Sequence, residues 1–156
     1  MVEVTMKRIE YFRLIASLFD TKILRDKSNT EYILIADSNV ADAEYVEDHT
    51  EFEALQNHVH LLDHIKKDEF PQCVSIAKQL GRALLNHLCV QYPEKDFIVF
   101  ATVDLHNSMT IRFHQKWPNE APYYNPHDFD QERTIVLKFE SCDTGDVLLS
   151  PSTPNH

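Results

Sequence analysis

Between Thr110 and Trp117 the basic residues Arg112, His114 and Lys116 fall at every second position. An extended chain projects all three to one side. Trp117, Tyr123 and Tyr124 follow within a few residues. Arginine with tryptophan and tyrosine is the composition of protein-binding hot spots, and also of small-ligand pockets. This set is the first candidate binding surface. The second is acidic: Asp37, Asp42, Glu44, Glu47, Asp48, Glu51 and Glu53 occur with no Lys or Arg between them. Clustered like charge speeds encounter with the opposite sign. Glu44, Glu47 and Asp48 are therefore read as steering residues for a basic protein partner.

Other constellations carry less. His60 and His64, spaced four apart on a helix, would share a face and could hold a metal. The general base of an H-E-x-x-H zinc site is replaced by Leu61, however, and the pair is read as part of a solvated polar face. His58 and His87 are read as hydrogen-bonded histidines at the core. Asp143-Thr144-Gly145 matches an aspartic-protease triplet, but such a site needs two carboxylates sharing a proton across apolar strands. A turn explains it better. Cys142 with His114 or His127, and histidines with Asp104 or Glu120, are conceivable chemistry that spacing does not select. Only two glycines occur, Gly81 and Gly145. Phosphate-cradling loops, which need several closely spaced glycines, are excluded. No catalytic residue, metal or cofactor is assigned.

The elements that must position these residues follow from hydrophobic periodicity. An amphipathic helix spans about 5–19, and a strand with 32–36 as its central part is expected, with a hairpin around the polar turn at 26–29 as the alternative. A second helix is predicted over 50–67, with Thr50 as N-cap, Glu53 completing a capping box, and Phe52, Leu55, Val59, Leu62 and Ile65 as its buried stripe. A third helix begins at Pro71 and stops before Pro93. Its apolar arc is very wide, and Gly81 on that arc permits close approach. Strands at 97–104 and 109–117 are joined by a three-residue loop at 106–108, pairing Leu105 with Met109. That register puts Phe97, Val99, Ala101, Val103, Ile111 and Phe113 on one face. Ile98 and Phe100 then lie opposite Lys116 and His114 on the outer face, where the aromatic loop after Trp117 could cover them. A helical turn is expected at 127–131, and a strand at 133–141 with Ile135, Leu137 and Phe139 inward. The segment 147–149 could pair with it, and 151–156 is expected to be a disordered C-terminal tail.

Two adjacent helices followed by adjacent strands predict the α+β class: a mostly antiparallel sheet of 4–5 strands with about three helices on one face. The 156 residues suit a single domain over 1–150. A net charge of -10 argues against general affinity for nucleic acid or anionic membranes. No stretch is long and apolar enough for a transmembrane helix, and no secretory signal is visible. Three scattered cysteines without a C-x-x-C pair read as free cytoplasmic thiols. The expectation is a cytoplasmic, non-catalytic protein-interaction module of the immunity or regulator kind, compatible with a homodimer. The alternatives are a small hydrolase using an Arg112/His114/carboxylate site, and a His-based metal- or small-ligand-binding protein.

Overall fold

A helix that buries leucine on a broad arc needs a sheet beneath it, and Phe70–Gln91 has one. In the computed structural model, which describes residues 2–40, 45–130, 132–141 and 147–150, the elements run in this order. They are α1 (Val2–Ser17), β1 (Thr21–Arg25), β2 (Glu31–Ile35), α2 (His49–Gln56), β3 (His58–Asp63) and α3 (Phe70–Gln91). Next come β4 (Phe97–Asp104), β5 (Ser108–Gln115), a 3-10 turn at Pro126–Asp128, β6 (Thr134–Ser141) and β7 (Val147–Ser150). Strands β1 and β2 form a hairpin sheet; the other five are antiparallel in the order β3-β5-β4-β6-β7. The fold is α+β.

Alternation along β4 and β5 sorts the two faces of the large sheet. Phe97, Val99, Ala101, Val103, Met109, Ile111 and Phe113 face α3, joined by Leu137 and Phe139 of β6. Cys73, Ala77, Leu84, Leu85 and Leu88 of α3 complete this core, with Ile33 and Ile35 of the hairpin. Gly81 lies directly over Phe139: a Cβ there would sit 2.3 Å from the ring. On the other face Ile98, Phe100 and Val136 form a smaller cluster under Tyr123, Tyr124 and Phe129. The aromatic loop is thus a roof over the outer face.

Three expectations are corrected. The second helix ends at Gln56, and 58–63 is a strand instead. Val59, Leu62 and Ile65 fit a helical period, but Val59 and Leu61, both buried, fit a two-residue one, and the edge of β5 offers ladder hydrogen bonds, so pairing prevails. The N-cap of α2 is Asp48, whose side chain accepts from Glu51 N–H, not Thr50. The β4–β5 turn is three residues long but occupies 105–107, which slides the register by two: Phe100 faces Arg112 and Ile98 faces His114. This turn is held by Asn107 N–H on Asp104 O and by His106 N–H on Ile65 O, with His106 at φ 65°. A slip of two preserves the faces, so the inner and outer sets stand as expected. The helices pack against the sheet unequally. Only α3 covers the sheet broadly; α1 meets β3, and α2 stands at the sheet edge between β2 and β5. The expected tail at 151–156 lies outside the described residues, as do Cys142 and Asp143-Thr144-Gly145.

Candidate functional site

The hairpin and the large sheet do not pair directly. Side chains of α2 join them. Glu53, fully buried, accepts from Ile33 N–H of β2 on one carboxylate oxygen (2.8 Å) and from Gln115 N–H of β5 on the other (2.6 Å). Gln115 Nε2 and Trp117 Nε1 complete its shell at 2.7 and 3.1 Å. The strand-edge N–H groups of Ile33 and Gln115 are buried and require such a partner. One helical turn on, Asn57 donates to Ile33 O and accepts from Ile35 N–H, while its own carbonyl accepts from Phe113 N–H. Gln115 Nε2 also donates to Glu31 O. Burial pushes the Glu53 carboxyl up to about 7, against the pull of its N–H donors.

From this clamp the contacts run outward. Alternation sends Trp117 away from Lys116 and onto the clamp side, a correction to its expected place over the outer face. Its ring stacks on His49 at 4.7 Å and meets Tyr32 at 5.5 Å. His49 Nδ1 hydrogen-bonds Glu120 at 2.9 Å. Glu120 in turn accepts from His49 N–H, Thr50 N–H and the Thr50 hydroxyl. A carboxylate at the start of α2 satisfies its open donors and meets the positive end of its dipole. Burial alone would raise the Glu120 carboxyl, but these donors outweigh it and hold it below its ordinary value.

Glu120 lines a surface groove of roughly 440 Å³ with Asp48, Thr50, Glu51, Asn119 and Tyr123. Two sequence-predicted sets therefore meet here, Asp48 from the acidic segment and Tyr123 from the aromatic loop. Glu47 is exposed just before Asp48; Glu44 lies outside the described residues. Behind the groove, the Arg112 guanidinium packs under the Tyr123 and Tyr124 rings at 4.7 and 5.6 Å and donates to Ala54 O near the end of α2.

His114 is 1% exposed and both ring nitrogens are used: Nδ1–H donates to Gln115 O (2.6 Å), and Nε2 accepts from Tyr123 N–H (3.2 Å). Burial pushes its pKa down, keeping it neutral, and it hydrogen-bonds no carboxylate. It fastens the roof. Lys116 leaves this group for Glu140 at 3.0 Å. His60 bonds Thr110 across the strands, and His64 sits in a turn at φ 57°, so the two do not form a helical column. Among the described residues no cluster of three or more metal-ligating side chains occurs.

Glu53, Asn57 and Glu120 were not singled out as binding-site or clamp residues by sequence reasoning. Glu53 and Asn57 stand one helical turn apart, and both looked like a solvated polar face.

Fold and contacts define the class first: an α+β domain whose two antiparallel sheets are clamped by side chains, with an acidic, aromatic groove beside the clamp. The chain belongs to the Uncharacterized protein PM0498 family, whose model matches residues 19–150. That span begins after α1 and takes in the groove and the clamp. Neither the curated proteins nor the solved structures contain a match. No helix among the described residues is long and apolar enough to cross a membrane.

Proposed function

We propose that this is a non-catalytic protein-interaction module whose groove takes a basic segment of a partner protein. One observation carries the proposal: Asp48, Glu51 and Glu120 line a single concavity with Tyr123. Carboxylates there complement a lysine or arginine, and an aromatic wall receives its apolar stem. A chain of net charge -10 adds long-range attraction for such a partner. Arg112, Tyr124 and His114 support the groove from behind by holding Tyr123, rather than presenting a separate surface. The buried, unbridged thiol of Cys73 suits work in the cytoplasm.

The experiment is affinity capture with three tagged forms: wild type, Asp48→Lys/Glu51→Lys, and Glu94→Lys as an exposed control on the far turn. A basic protein held by wild type and by Glu94→Lys, but reduced about tenfold or more by the groove reversal, is expected. Equal recovery by all three forms contradicts the proposal.

A further inference from the structure

We propose that Glu53 is a proton-operated latch: its carboxylate holds Trp117 and the edge of β2 in place, and protonation releases Trp117 from behind the groove. Each carboxylate oxygen receives two N–H donors, Ile33 N–H and Gln115 Nε2 on one, Gln115 N–H and Trp117 Nε1 on the other. Main-chain N–H and the indole N–H only donate. A proton on Glu53 therefore faces donors on every side, and one bond has to break. The Trp117 bond, at 3.1 Å, is the longest of the four. Gln115 Nε2 sits on the opposite oxygen and is tied to Glu31 O as well, so turning this amide to offer its oxygen would cost the β2 edge a bond.

The ionisable groups around the latch are Tyr32 and Asp26 from the hairpin, His49 on its own helix, Arg112 from β5 and Glu120 from the roof loop. None of the cations bonds the carboxylate; Arg112 is spent on Ala54 O and the two tyrosine rings. The charge is held by N–H dipoles alone, so burial dominates and the group titrates near neutrality rather than near pH 4. Trp117 backs His49, and His49 holds Glu120 at the groove wall. Proton uptake at Glu53 thus reaches the groove through three consecutive contacts. That last step rests on the groove being the contact surface; the titration itself does not.

Trp117 is the single tryptophan of the chain and reports on its own release. Tryptophan emission of the wild type, followed from acid to alkaline pH, is expected to show a one-proton transition with midpoint near 7. Glu53→Gln abolishes it, and His49→Gln, which removes the imidazole stacked on Trp117, retains it. A flat wild-type profile with intact far-UV circular dichroism overturns the latch, as does a transition that survives Glu53→Gln or vanishes in His49→Gln. Should Glu53→Gln fail to fold, NMR of the wild type decides. The Trp117 indole N–H and the Glu53 carboxyl carbon moving together near pH 7 support the latch, and a motionless indole overturns it. Failure of this titration leaves the charge-reversal result intact, and failure of the charge reversal leaves the titration intact.

Discussion

Replacing Gly81 by alanine would ordinarily stabilise a helix interior by about 1 kcal/mol, because glycine has the larger backbone entropy to lose. Here the opposite is expected. The added Cβ would lie 2.3 Å from Phe139 Cε2, 2.7 Å from Cδ2 and 3.0 Å from Cζ, well inside contact distance. The ring is 1% exposed, and its strand pairs with Val99 on one side and Leu149 on the other, so it cannot retreat without moving the sheet. Overpacking of this kind costs about 1–3 kcal/mol, occasionally more. With three ring atoms within 3.0 Å the cost is taken at the upper end of that range, and set against the propensity gain Gly81→Ala should lose about 2 kcal/mol, a fall of roughly 4–8 °C in Tm for a chain of this length. Urea unfolding followed by far-UV circular dichroism measures it. Phe139→Leu should relieve the clash, so the double variant is expected to be less destabilised than the sum of the singles. A Gly81→Ala protein as stable as wild type, with additive double-variant energies, would refute the packing of α3 on β6.

Two further outcomes follow from the clamp and the roof. Asn57→Ala leaves Ile33 O and Ile35 N–H buried without partners, which should cost about 2–4 kcal/mol and raise exchange at the Ile35 amide. His114 is held neutral by burial, its folded pKa below the ordinary 6.5. Its contribution to stability is therefore present above pH 6.5 and is lost as the pH falls below that value. His114→Gln should flatten the acid side of the urea-midpoint profile, and parallel wild-type and variant profiles would count against the role assigned to this ring.

Periodicity reveals an element when only one arrangement satisfies it. The arc of α3 is too wide for anything but a helix on a sheet, which is why Gly81 was legible as a point of close approach. The alternation of Arg112, His114 and Lys116 likewise survived a two-residue slip in register, because strand faces depend on parity alone. The segment after Asn57 was not legible. Val59, Leu62 and Ile65 suit a helix when read locally, and only the distant edge of β5 turns them into a strand. The clamp was hidden for the same reason: Glu53 gains its value from Ile33, Gln115 and Trp117, residues 20 to 64 positions away. Acid next to aromatic could be guessed from composition, but that Asp48 and Tyr123 line one groove is a tertiary fact.

The contact surface can be mapped directly with a photo-crosslinking side chain placed at Glu51, on the groove, or at Val90, 83% exposed on α3. A covalent adduct with a basic protein is expected at Glu51, suppressed by added salt, and none with that protein at Val90. Adducts formed equally at both positions, or at Val90 alone, would contradict the groove as the contact surface.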